Sequence, residues 1–130
     1  MAIGCGKGIQ GCIKDAEAGD IEAQFSLGSF YEHGQFDLPP SYVEAAKWYR
    51  KAALQGHPSA QLYLGVFLAQ GQGVEPDYVE AYKWIDVAKR GNAFTKSVAV
   101  DTQKRLAALI TPEQIAEGQR LSCEFVPTKG

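Results

Sequence analysis

At 130 residues, 45% of them apolar, the chain has the length of one domain and enough hydrophobic material to bury a core. A formal net charge of −2, with the 13 basic side chains scattered along the chain, supplies no positive field for nucleic acid, and no apolar run approaches the roughly 20 residues that span a bilayer. The three cysteines, Cys5, Cys12 and Cys123, leave at least one without an intramolecular disulfide partner and have neither C-x-x-C spacing nor histidine neighbours. Reduced thiols packed as small hydrophobes are therefore expected, and a metal site is not. The start Met1-Ala2-Ile3-Gly4-Cys5 has neither a charged n-region nor an apolar h-region. As given, the chain reads as cytoplasmic; periplasmic or secreted is the alternative if a leader has been removed.

The first predicted helix, about Gly8 to Ala18, is stopped by Gly19, which can take the left-handed conformation, so residues 1–19 read as an N-terminal cap. Asp20 caps the next helix, about Ile21 to His33, in which Ala23, Leu27, Phe30 and Tyr31 share one face. Gly34 closes it, and Pro39 and Pro40 forbid continuation. Ser41 and Glu44 have capping-box spacing and open a helix to about Gln55, with Tyr42, Ala45, Ala46, Tyr49, Ala52 and Ala53 on one side. Gly56 ends it, and His57-Pro58 restarts the pattern with proline at the first helical position. Asp77 and Glu80 repeat the capping logic and open a helix to about Arg90.

This order is an internal repeat. Ala23 to Gly34 returns as Ala60 to Gly71, 37 residues on, and Tyr42 to Trp48 returns as Tyr78 to Trp84, 36 residues on. Two helices per unit at this period predict an all-α fold, an α-solenoid of antiparallel helix pairs, with repeats over 20–56 and 57–92. Gly28 and Gly65 recur inside helices, where glycine costs about 1 kcal/mol against alanine. Close approach of a large side chain, Trp48 or Tyr49, explains why both repeats keep one. Beyond Gly91-Asn92 a looser helical pattern, about Ala93 to Leu109, leads to Thr111-Pro112-Glu113-Gln114, which opens a last helix to about Cys123. Residues 93–123 thus form a diverged third unit with a C-terminal capping helix, and 124–130 are expected to fray.

The strings A-Q-x-x-L-G, Gly71-Gln72-Gly73-Val74 and E-A-x-K-W, the last leading to Lys51-Ala52-Ala53-Leu54-Gln55-Gly56, resemble the Sel-one-like repeat family, relatives of the tetratricopeptide repeats. The likeness covers about Ala18 to Asn92, and Thr111 to Leu121 resembles the closing helix of bacterial members. It implies a right-handed superhelix serving as an adaptor for protein–protein contacts, with no catalytic residues and no cofactor. The chain departs from the family pattern at Gln35-Phe36-Asp37-Leu38, and Trp84 to Gly91 is one residue shorter than Trp48 to Gly56.

Gly6-Lys7-Gly8-Ile9-Gln10-Gly11 matches G-x-G-x-x-G, but five preceding residues cannot supply the strand that a phosphate-binding turn needs. His33 and His57 sit at helix ends outside any metal pattern. A cell-envelope hydrolase or β-lactam-binding protein of the cysteine-rich repeat type is the enzymatic alternative, and it is disfavoured because both complete repeats lack cysteine. The expected protein is non-enzymatic, a monomer or a subunit of a hetero-complex, with a protein or peptide partner. With the shared core positions removed, Glu22, Ser26, Ser29 and His33 remain on the first helix of one repeat and Ser59, Tyr63, Val66 and Gln70 on that of the next. Their steps of four, three and four make one stripe per helix, the expected binding groove, with Tyr63 and Val66 as its apolar centre.

Overall fold

The computed structural model describes residues 8–128, so Met1 to Lys7, with Cys5 and the start of the glycine string, lie outside it, as do Lys129 and Gly130. Among the described residues there are seven helices and no strand: α1 (Gly8–Glu17), α2 (Ile21–His33), α3 (Tyr42–Leu54), α4 (Pro58–Gln70), α5 (Tyr78–Ala88), α6 (Ala93–Ala107) and α7 (Pro112–Glu124). The hairpins α2–α3 and α4–α5 stack through α3 and α4, and α1 caps the stack on α2. At the other end α6 and α7 both pack on α5, and α6 also reaches α4. The chain is an all-α solenoid.

Side-chain caps set the helix starts. Asp20, Ser41, His57, Asp77, Asn92 and Thr111 each accept a hydrogen bond from the backbone N–H three residues on. The boxes expected at Ser41–Glu44 and Asp77–Glu80 are only half made, because the cap N–H groups have tertiary acceptors instead. Ser41 N–H donates to the Tyr31 carbonyl at 2.9 Å and Asp77 N–H to the Leu68 carbonyl at 3.0 Å. These are equivalent positions, so the same backbone bond closes both hairpins. Thr111 and Gln114 make the reciprocal box.

The repeated glutamine also has a job that periodicity does not show. Gln24 and Gln61, both buried, donate at 3.1 Å to the carbonyls of Ala16 and Ala53, eight residues back in the last turn of the preceding helix. Each thereby adds a side-chain bond to a helix-end carbonyl that already accepts a backbone N–H, and fixes one helix pair on the helix before it. The repeated glycines are close-approach sites, and the large neighbour in the first repeat is Tyr49. A Cβ on Gly28 would lie 2.7 Å from Tyr49 Cδ1, and one on Gly65 would lie 2.6 Å from Cγ1 of Ile85, the residue equivalent to Tyr49. Trp84 belongs to the main core with Tyr49, Leu64, Ile85 and Leu106, whereas Trp48 joins Cys12, Ala16, Leu27 and Phe30 in the N-terminal core.

The departure at Gln35 to Leu38 has a stacking explanation. Phe36 adopts φ 57° where the second repeat has Gly73 at φ 68°. A Cβ on Gly73 would overlap the Tyr42 backbone, at 2.3 Å from its carbonyl carbon, so the second loop needs glycine to lie against α3. Phe36 is 59% exposed and its ring rests edge-on against Phe30 at 4.7 Å. Tyr42, placed with the buried residues by periodicity, is 47% exposed. Cys12 is disulfide-bonded, which corrects the expectation of reduced thiols, while Cys123 is free and exposed.

Over its described residues the expected frayed tail is also corrected. Phe125 meets Trp84 edge-on at 5.1 Å, and Thr128 N–H donates to the Leu54 carbonyl at 2.7 Å. The segment therefore straps α5 to the end of α3. Beside it a polar cluster fixes the last helices: Gln103 donates to Asp86 at 2.8 Å, Lys89 bridges both, and Arg90 donates to the carbonyl and hydroxyl oxygens of Ser122. Burial pushes the Asp86 carboxyl up, but hydrogen bonds involving Gln103, Ser122 and Lys89 outweigh it and hold the group below its ordinary value. Phe125→Ala is expected to cost about 1 to 2 kcal/mol, an aromatic pair plus part of its burial. An unmoved thermal midpoint would return the segment to a frayed tail.

Candidate functional site

The first helices α2, α4 and α6 supply the lining of one face. A cavity of about 360 Å³ is walled by Glu32 of α2, by Tyr63, Val66 and Phe67 of α4, and by Val98 and Thr102 of α6. A second, of about 300 Å³, shares Val66, Gln70 and Thr102 with it and runs on to Tyr78 and Leu109. The two adjoin along Val66, Gln70 and Thr102 as one trough with largely apolar walls. Tyr63 is 40% exposed and is braced from behind by Tyr49, with ring centroids 5.3 Å apart, and by Phe25 at 5.8 Å.

Tyr49 is wholly buried, and its hydroxyl donates to Glu32 Oε1 at 2.7 Å. Burial first, and then the bond to Glu32, push the phenol far above its ordinary pKa, so it remains a donor at physiological pH. The Glu32 carboxylate is thereby held in place by a side chain that cannot itself move.

Of the stripe expected from the sequence, Tyr63, Val66 and Gln70 line the trough together. Ser26 is corrected: it is 2% exposed and offers nothing to a partner. Glu22 lies at the opposite end of α2, its carboxylate 3.4 Å from His57 Nε2, and Ser59 is half-buried in the first turn of α4. The other ring nitrogen of His57, Nδ1, accepts the Ala60 N–H, so Nε2 carries the proton and faces Glu22 as a donor. His33 is exposed and folds back on its own helix, with Nδ1 donating to the Ser29 carbonyl at 3.0 Å. Glu22, Ser29, His33 and Ser59 line neither cavity. Sequence reasoning missed Glu32, Val98 and Thr102. A shallower depression of about 470 Å³ lies on the outer side of α3, lined by Val43, Leu54 and Val74 with Lys47, Arg50 and Lys51.

A family pattern spans the helix pairs α2–α3 and α4–α5: the Sel1 repeat model matches residues 21–57 and 58–90, more than half of the chain. The chain belongs to the Sel1 repeat family. Over 89% of its length it is similar to a protective antigen of uropathogenic Escherichia coli displaying an SLR fold, with a TM-score of 0.80 and 31% identity. Over 69% of its length it is similar to a Sel1 repeat protein from Oxalobacter formigenes, with a TM-score of 0.64 and 38% identity. It is 34% identical over 97 residues, 65% of the chain, to chitin synthase regulatory factor 3 of Schizosaccharomyces pombe. The chain spans 24%, 37% and 10% of the lengths of these three proteins, respectively. The two matched Sel1 repeats contain α2 to α5, so α6, which contributes Val98 and Thr102, closes the trough from outside the matched residues.

Proposed function

We propose that this Sel1 repeat protein is a non-catalytic adaptor that holds a segment of a protein partner along the trough between α2, α4 and α6. The observation that carries the reading is that large apolar side chains lining these two adjoining cavities are left open, with Tyr63 40%, Val98 38% and Leu109 71% exposed. Such a lining, centred on a braced aromatic and bordered by Gln70 and Thr102, has the composition of a binding surface with an apolar centre and a polar rim. The fission-yeast relative bears the name of a regulatory factor, which supports a role exercised through another protein.

Val66 is half-buried at the junction of the two cavities, so Val66→Arg fills the trough without opening the core. With the partner isolated by affinity capture on the full chain, the variant is expected to weaken its binding by about thirtyfold, as loss of one central anchor does, and to leave the thermal midpoint within a few degrees. Val43→Arg, on the outer side of α3, should leave affinity unchanged. The reverse pattern would move the binding face to the outer helices.

A further inference from the structure

We infer that the partner segment presents a basic side chain, lysine or arginine, to the α2 end of the trough; this rests on the trough being the binding face and adds the chemistry that it selects. Among the described residues Glu32 is the one charged side chain lining the cavity of about 360 Å³. None of the ion pairs among the described residues includes it. Its carboxylate is already oriented by Tyr49, whose ring is fixed by Phe25, Tyr63 and Phe67 with centroids 5.3 to 5.6 Å away. A cation arriving there meets a carboxylate that loses little freedom on pairing.

Two further features favour a cation. Tyr63 and Phe67 line the same cavity, and aromatic faces attract ammonium and guanidinium groups. Leu62 and Val66 offer the stem of a long basic side chain an apolar bed. A neutral segment would cover Glu32 and desolvate its charge with no counter-charge beside it, and an acidic one would oppose it. Arg105 lines the far cavity, away from Glu32, and already has the Asp101 carboxylate 2.9 Å from its guanidinium. The outer depression, with Lys47, Arg50 and Lys51, has the opposite preference.

The test uses the full chain and three labelled, leucine-rich synthetic peptides that differ only at a central lysine, norleucine or glutamate, titrated by fluorescence anisotropy. The lysine peptide is expected to bind about tenfold tighter than the norleucine peptide, with an advantage that shrinks as salt is added. Glu32→Gln keeps an acceptor for Tyr49 and should erase that advantage, weakening the lysine peptide and tightening the norleucine peptide, while leaving the thermal midpoint within a few degrees. Equal lysine and norleucine affinities, or an advantage that survives Glu32→Gln, would overturn the inference while leaving the trough as the binding face. Tightest binding by the glutamate peptide, no binding of the lysine peptide, or binding that ignores Val66→Arg would overturn it too, and the last of these would also remove the trough as the site.

Discussion

Trp84→Ala is expected to destabilise the protein by about 3 to 5 kcal/mol, the cost of truncating a fully buried tryptophan and leaving its cavity. Trp84 is 1% exposed within the main core, with Phe125 against its edge and Lys83 Nζ 4.2 Å from the ring centroid. Several elements lose a common partner at once, because α5 is the helix on which α4, α6 and α7 all pack. Against a typical total of about 5 to 15 kcal/mol, such a loss removes a large share of the stability. Trp48→Ala should cost a similar amount, because Trp48 is 6% exposed and is the largest side chain of the N-terminal core. Urea titration reads both variants, and an unmoved midpoint for either would mean that the helix register is wrong.

Gly28→Leu should be as severe for the opposite reason. The added Cβ would sit 2.7 Å from Tyr49 Cδ1 and 2.8 Å from Cε1, and the Tyr49 ring is 0% exposed with neighbouring rings on several sides. With no space for the ring to yield, overpacking by a leucine is expected to cost about 3 kcal/mol or more. Gly28→Ala separates the two effects. Alanine gains about 1 kcal/mol of helix propensity, but overpacking costs about 1 to 3 kcal/mol, so the expected net change lies between about zero and 2 kcal/mol of destabilisation. A stabilised Gly28→Ala variant, measured by thermal melting, would show that α2 and α3 are farther apart than described.

The helices from α2 onward were legible in the sequence because each start carries a cap residue and each repeat carries the same apolar positions; Ser41 and Asp77, or Gly34 and Gly71, fix the register twice over. The groove was legible only in part. Removing the shared core positions left Ser26 on the candidate stripe, but in a stacked solenoid a helix is flanked by the next repeat as well as by its own partner, and the position is buried. Glu32 carries no sequence signal, since its importance comes from the hydroxyl of Tyr49, 17 residues on and across a turn. Val98 and Thr102 lie in a helix without the repeated A-Q-x-x-L-G string, so no matching position pointed to them. The tail was read as frayed because its composition is that of an ordinary terminus, whereas its order comes from the Trp84 edge and the Leu54 carbonyl, both supplied by distant helices.

The claim that the inner face binds the partner is tested most directly by placing a photo-crosslinking residue at one position at a time and irradiating the native cell. With the probe at Val66 or Val98, in the trough, a discrete higher-mass adduct is expected. With the probe at Val43, exposed on the outer side of α3, none is expected. Adducts formed from Val43 and absent from both trough positions would contradict the account.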